Sequence, residues 1–349
     1  MAVGTHSPVK PEKLVNQYIG LVERQLLVPQ LFARKSIDDY KGSSGDAVSV
    51  KVPGRLPARR YAFRNDRTNP IKLDTYSERK IVTTFGDLIY SASPITDEQK
   101  DFDGISTSSL LQPQSRAVAQ EINQICVDKV VNSPFQVVIA GAATDLPRAL
   151  VEARKVMNKL RQPDGGRFLL VGSDFEGALL TNDKLNLASN VGDVLAKSTF
   201  EAAILGSRYG FTIIRCDELP PKHAYAMSAN AYILLTGAPS IPDGAVKGAT
   251  TSYNGLALRW MQDYDFMYRY DRSSVDTYVG TQYVTDVFLK FDTATLSGDT
   301  TRVGEVVGTA DYFVRAIKLT LDGTTSTGPA AGSPLAQDVG FVAADVWNG

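Results

Sequence analysis

The segment AILGSRYGFTIIRCDELP, residues 203–220, carries the strongest architectural signal in the chain. A helical run ends at Gly206. Gly210 follows four residues later, and Phe211-Thr-Ile-Ile-Arg215 then alternates into a strand that stops at Leu219-Pro220-Pro221. Two glycines this close allow a helix to end in a left-handed turn and a strand to leave at once. No side chain here carries chemistry, so Gly206 and Gly210 are expected to act as structural turn residues.

Toward the N-terminus, Ser173-Asp-Phe-Glu176 has the pattern of a capping box opening a helix, and Phe168-Leu-Leu-Val171 reads as a short buried strand. A helix starts at Asp145-Leu-Pro147 with the stripe Leu146, Leu150, Ala153, Met157 and Leu160, and Pro163-Asp-Gly-Gly166 ends it. Residues 109–132 predict a long helix with Val118, Ile122, Ile125 and Val130 on its apolar side, Pro113 being tolerable only near the first turn. Residues 94–103 predict a short acidic helix capped by Thr96. Toward the C-terminus, strands are expected around Ala224–Leu235, then over Leu256–Tyr270 and Val275–Val284 as a long antiparallel pair, then over Asp311–Leu321. Gly323–Pro334 reads as a flexible linker, and the apolar stretch Val339–Trp347 as a tail that docks. No internal repeat is evident.

Residues 1–11 read as a polar arm, and residues 12–35 as a helix that Pro29 interrupts. Residues 42–85 form the second strong feature. Gly42-Ser-Ser-Gly45 turns into the alternating strand Ala47–Val52; Pro53, Gly54 and Pro57 then exclude a central strand. Arg59-Arg-Tyr-Ala-Phe-Arg64 follows, and the chain returns through Ile71–Tyr76 and Arg79–Phe85. This is a long two-stranded ribbon with a basic tip. Such a ribbon buries little of its own surface and needs something to lie on.

The formal net charge of −1 hides an asymmetry: residues 1–80 hold 15 Lys/Arg against 8 Asp/Glu, leaving 22 against 30 in the remainder. A split of this kind implies that basic and acidic surfaces meet, within one subunit or between copies. Arg55, Arg59, Arg60, Arg64 and Arg67, with Tyr61 and Phe63, offer an inter-subunit contact. Direct contact with nucleic-acid phosphates is an alternative, and a solvated loop is the bland one. Candidate acidic partners are Asp97, Glu98, Asp101 and Asp103, or Asp263 and Asp265. Chemistry is sparse. A catalytic triad or zinc site is hard to assemble from His6 and His223 with the two cysteines, Cys126 and Cys216, which read as buried thiols. Gly172–Gly177 has the spacing of a phosphate loop but Ala178 and Leu179 stand where Lys and Ser/Thr are required. No metal, cofactor or membrane span is expected.

The order of these elements resembles the major capsid proteins of tailed double-stranded DNA phages, the Hong Kong 97-type (HK97-like) fold, over about residues 12–285. The 206–220 segment follows that family's G-x-x-x-G-[FY]-x-[VI]-x-x-S-x-x-[LI]-P turn, with Cys216 in place of Ser. The run Leu258–Phe266 looks like the segment where such chains return to the peripheral domain. The resemblance implies an α+β fold with an N-terminal arm and helix (1–41), an extended β-hairpin loop (42–85) and a peripheral domain with a long spine helix (86–134 and 251–322). An axial α/β domain (135–250) and a C-terminal linker and tail (323–349) complete it. It implies a non-enzymatic coat protein that self-assembles through hexamers and pentamers into an icosahedral shell around double-stranded DNA, assembled in the bacterial host cytoplasm. The expected partners are further copies, a portal protein, a cement or minor capsid protein, and packaged DNA bound non-specifically. About forty residues precede the ribbon, too few for a fused scaffold, so a separate scaffolding protein is also expected. An encapsulin shell, a tail-tube subunit, or an enzyme using His223 are the competing readings.

Overall fold

The computed structural model describes residues 27–36, 47–52, 73, 79–102, 107–142, 145–182, 206–253, 256–286, 289–296, 299–306, 312–321, 325–333, 335–336 and 342–347. In chain order its elements begin with β1 (Ala33–Ser36), β2 (Ala47–Val52), β3 (Arg79–Thr84), β4 (Asp87–Thr96), α1 (Asp97–Asp101), α2 (Thr107–Val131), β5 (Val138–Ala140) and α3 (Leu146–Lys159). They continue with β6 (Arg167–Val171), α4 (Ser173–Leu180), β7 (Ser207–Arg208), β8 (Phe211–Arg215), β9 (His223–Ser228), β10 (Tyr232–Gly237), β11 (Lys247–Tyr253) and β12 (Leu256–Asp265). The last are β13 (Tyr270–Tyr283), β14 (Leu289–Leu296), β15 (Asp299–Val306) and β16 (Ala316–Thr320). β2 pairs with β3 and β14 with β15, each as a two-stranded ribbon.

Packing divides the chain into two units. The first comprises Met1–Val48, Val82–Asn132 and Tyr232–Gln282. Its sheet runs β1-β10-β13-β12-β11, with β4 on β13 through ten antiparallel pairs from Thr96↔Tyr270 to Asp87↔Val279. α2 packs on β4 and buries Leu111, Val118, Ile122, Cys126 and Val130. Polar bonds fix its position. Gln114 Nε2 donates to the Ser273 carbonyl (2.9 Å), the Ser273 hydroxyl donates to Gln114 Oε1 (3.1 Å), and Trp260 Nε1 donates to that hydroxyl (3.0 Å). Asn123 Oδ1 accepts from the Val28 amide (3.1 Å). Within the sheet Arg259 Nε and Nη2 bind Asp276 bidentately (2.9 and 2.5 Å), and Nη1 donates to the Ser240 carbonyl. Both side chains of the pair are at most 10% exposed.

The second unit comprises Ser49–Ile81, Ser133–Ala231 and Tyr283–Gly349, with sheet order β5-β16-β9-β6-β8-β7. One side of the sheet, including Leu169, Val171, Ala224, Ala226, Ile317 and Leu319, packs with α3 and α4. The whole predicted α3 stripe is buried in that core. Tyr225, Phe135, Phe313 and Tyr283 stack in succession, with centroids 5.2–5.9 Å apart.

Several expectations need correction. The helix over 12–35 does not reach its end. Val28–Leu31 is a single 3-10 turn begun by Pro29, and β1 follows, pairing in parallel with β10 while Phe32 stacks on Tyr232 at 4.9 Å. Residues 12–26 lie outside the described residues. Pro113 sits in the second turn of α2 rather than the first, where it removes one backbone donor. β4 is a ten-residue strand where none was expected beyond Phe85, and Pro94 is tolerated because, among the described residues, β4 pairs on one side only. Residues 256–270 are not one strand: the turn 266–269 splits them. The capping box at Ser173 does not form. Gly172 is the cap, and the Asp174 and Phe175 amides both donate to the Pro221 carbonyl (3.1 Å each). Residues 325–333 are no free linker, since Thr327 bridges to Val138 and the buried Ser326 hydroxyl accepts from the Ala140 amide (2.9 Å). The tail does dock: Val346 enters the core of the second unit and Ser326 Oγ donates to the Trp347 carbonyl (2.6 Å). The unit borders differ from the expected domains. β10 and β11 join the sheet of β12 and β13, and β16 joins that of β5 and β9, so 232–250 and 283–322 fall on the other side of the division.

Two stability predictions follow from these contacts. Asp276→Ala strands a buried guanidinium and should lower stability by about 3–5 kcal/mol in urea unfolding, whereas the paired apolar replacement Arg259→Met with Asp276→Leu should cost far less. A Cβ on Gly172 would stand 2.4 Å from the Pro220 carbonyl oxygen and 2.7 Å from that of Pro221. Backbone must shift to admit it, so Gly172→Ala should cost about 3 kcal/mol in the same assay.

Candidate assembly surfaces

The pairing of Thr96 with Tyr270, and of Tyr270 with Asp265, brings α1 and the β12–β13 turn to one end of the first unit's sheet. A capping box starts α1: Thr96 Oγ1 accepts from the Gln99 amide and Gln99 Oε1 from the Thr96 amide. Lys100 Nζ holds Asp271 at 2.9 Å, and that hydrogen bond and charge raise the ammonium's pKa. Tyr264 Oη donates to Asp97 Oδ2 (3.3 Å). Arg272 binds Asp263 (2.7 Å) and Asp265 (3.3 Å). Of the expected acidic residues, Asp97, Glu98, Asp101, Asp263 and Asp265 therefore gather at one place, but Asp97, Asp263 and Asp265 already have partners within the chain. Glu98 and Asp101 sit exposed on α1 with no ion pair among the described residues.

Beside them the turn 266–269 projects large apolar groups into solvent. Phe266 and Met267 are each 76% exposed, Tyr268 73%, and Phe102 at the end of α1 86%. Asp265 Oδ1 accepts from the Met267 and Tyr268 amides (3.0 and 3.3 Å), and Arg269 takes a left-handed φ of 56°. The sequence reading missed this tip because Phe-Met-Tyr-Arg lacks glycine and proline and continues the strand pattern; only Asp265, a turn-forming acceptor, marks the break. On β4, Leu88 (43%) and Tyr90 (69%) are exposed on the side opposite the buried Ile89 and Ile95.

Arg55, Arg59, Arg60, Arg64, Arg67 and Asp103 lie outside the described residues, as does the helical run before Gly206. Gly206 has φ +61° and Gly210 φ +84°. The geometry between them is a tight hairpin: β7 pairs with β8 around Tyr209-Gly210, and Tyr209 also has positive φ (50°), as a type I′ turn requires. Arg154 Nη1 donates to the Tyr209 carbonyl (3.5 Å).

Of the remaining reactive groups, both cysteines are buried and His223 is half-buried. Burial pushes the Cys126 and Cys216 thiols up, away from the reactive thiolate. His223 Nδ1 lies 3.4 Å from the Tyr225 hydroxyl, whose pKa burial pushes up to about 12. Among the described residues no cluster of three metal-ligating side chains occurs, and no helix is long and apolar enough to cross a membrane.

Solved structures share this arrangement. One from Mycobacterium phage Che8 is 15% identical with a TM-score of 0.56, covering 85% of this chain and 92% of that one. The capsid of cyanophage P-SCSP1u is 12% identical with a TM-score of 0.56, over 92% and 91%. The mature capsid of bacteriophage PhiM1 is 8% identical with a TM-score of 0.53, over 93% and 91%. No curated relative matches the chain. The fold is thus α+β and HK97-like, the architecture of a viral shell subunit. The sequence profile of the phage capsid protein family matches residues 91–336, so the chain belongs to that family and its function is that of a major capsid protein.

One local prediction tests the hairpin. A Cβ on Gly206 meets nothing within 4 Å, so only its left-handed φ opposes substitution. Gly206→Ala should lower stability by about 1 kcal/mol, read from the shift in urea midpoint.

Proposed function

We propose that this capsid protein closes into an icosahedral shell of hexamers and pentamers around the double-stranded DNA of a tailed phage. The observation that carries the reading is the exposed Phe102, Phe266, Met267 and Tyr268 cluster beside an acidic helix. Apolar groups this exposed in a soluble subunit mark a surface that a neighbour covers. Contacts of ~1,600 Å² or more are typical of stable interfaces.

In this reading residues 42–85 are an extended loop reaching a neighbouring copy, α2 is the spine helix of the peripheral domain, and the part of the second unit built on the β5-β16-β9-β6-β8-β7 sheet is the axial domain. The basic loop residues Arg55, Arg59, Arg60, Arg64 and Arg67 meet α1 of the neighbour. Glu98 and Asp101 are the preferred partners, because Asp263 and Asp265 already bind Arg272 and Asp97 already binds Tyr264. The chain works without catalysis. A separate scaffolding protein, a portal protein and a cement or minor capsid protein complete the assembly, which proceeds in the host cytoplasm and ends in the virion capsid.

Negative-stain microscopy of the concentrated or co-expressed protein should reveal closed shells, and a homogeneous monomer or dimer would overturn the reading. Open tubes would favour the tail-tube alternative, and a copurifying cargo enzyme the encapsulin one. Exposed ion pairs contribute only ~0–1 kcal/mol each, so the effect depends on repetition over many copies. Arg59→Glu with Arg60→Glu should therefore impair shell assembly while leaving the subunit's circular dichroism and unfolding midpoint unchanged. Normal shells from that variant would refute the loop assignment.

A further inference from the structure

The outer face of α3 belongs to neither surface above. Residues 146–162 hold five Lys/Arg, namely Arg148, Arg154, Lys155, Lys159 and Arg161, against the single acid Glu152. The helix turns Leu146, Ala149, Leu150, Ala153, Val156 and Met157 into the core, which leaves Arg148, Arg154 and Lys155 on the exposed side. Glu152 is 7% exposed, and both of its oxygens accept from Lys155 Nζ (2.8 and 3.0 Å). Asp145 precedes the helix, Asp164 follows it and is bound to Arg167 (3.2 Å), and Lys159 and Arg161 have interactions of their own within the chain.

We propose that this face binds the sugar-phosphate backbone of double-stranded DNA without sequence preference. The proposal rests on the reading of a shell around DNA and names the surface that meets it. Three observations favour a polyanion over a protein partner. Val151, 49% exposed, is the one large exposed apolar side chain of α3, so the face lacks the apolar anchors that protein interfaces are built around. Arg148 to Lys159 spans about 16 Å of helix axis, the length over which one DNA strand presents about five phosphates. Finally, several cations are braced yet exposed. The Arg148 guanidinium lies over the Trp347 ring at 5.0 Å, Arg154 reaches the Tyr209 carbonyl, and Lys155 reaches the Asp345 carbonyl at 3.3 Å. Bracing reduces the side-chain freedom lost when a phosphate is bound.

The test is fluorescence anisotropy of the full-length protein with a labelled mixed-sequence duplex of about 30 base pairs, titrated between 50 and 200 mM salt. Each phosphate neutralised contributes about −0.9 to the slope of log K against log salt. The wild-type slope should be about −3 to −4. Arg154→Gln with Lys159→Gln and Arg161→Gln should flatten it by about 2 to 3 and weaken binding at least ~10-fold at 100 mM salt. Arg154→Lys with Arg161→Lys, which keeps the charge, should retain the slope, and this holds the test open should the glutamine variant misfold. An unchanged slope in a folded glutamine variant would overturn the proposal. So would loss of binding confined to Arg59→Gln with Arg60→Gln, which would place the contact in the basic loop. If the α3 variant binds DNA normally but no longer forms shells in microscopy, the face is a protein interface and the proposal is wrong. Shell formation by the wild type is scored separately, so failure of the shell reading is distinguishable from failure of this one.

Discussion

Ser273 is the point on which the first unit turns. Its carbonyl takes Gln114 Nε2, and its hydroxyl sits between Trp260 Nε1 and Gln114 Oε1, all buried. The three bonds lock the rotation of a 25-residue helix, the choice of sheet side and the register of β12 against β13 in one place. A strand slip of one residue would turn Ser273 to the opposite side and leave the amide and the indole N–H without their partner. Unmade buried bonds cost about 1–3 kcal/mol each, so this network discriminates against the slipped alternatives more than it adds to net stability. The Arg259–Asp276 pair fixes the same two strands farther along the sheet.

Where a segment's environment was encoded by its own period, the sequence was readable. The α3 stripe Leu146, Leu150, Ala153, Met157 and Leu160 contrasts with the charged Arg148, Glu152, Arg154, Lys155 and Lys159 between its members, and all five side chains are buried. The α1 cap was readable because both halves of its box lie within four residues. Reading failed where distant chain took over a local role. Ser173 and Glu176 spell a capping box, yet a carbonyl from Pro221 occupies the helix start and Glu176 lies 3.4 Å from Arg215 instead. β4 gave no signal because Leu88, Tyr90, Ala92 and Pro94 on one side are as apolar as Ile89 and Ile95 on the other. The assignment of β10 and β16 to different units was invisible for the same reason: a strand's partners are set by pairing across long sequence intervals.

The surfaces were legible in composition and not in place. Counting charges gives a basic N-terminal segment and an acidic remainder, and five of the acidic residues gather at one end of one sheet. Which of them remain available depended on geometry: Arg272 claims two, Tyr264 one. The same logic separates the two basic features of the chain. The loop interleaves arginine with tyrosine, phenylalanine and proline, whereas the exposed side of α3 offers charge and almost no apolar surface.

β1 carries a consequence for synthesis. Ala33 pairs with Ile233 and Ser36 with Thr236, so the strand's only partner among the described residues is roughly two hundred residues downstream. At about 5–20 residues per second, the ribosome leaves this segment without its mate for on the order of 10–40 s. During that interval β1 is an open strand edge on a nascent chain, able to pair with the same segment of another polysome-bound copy. The sheet of the first unit therefore cannot close on β1 until β10 has been made, about two hundred residues later.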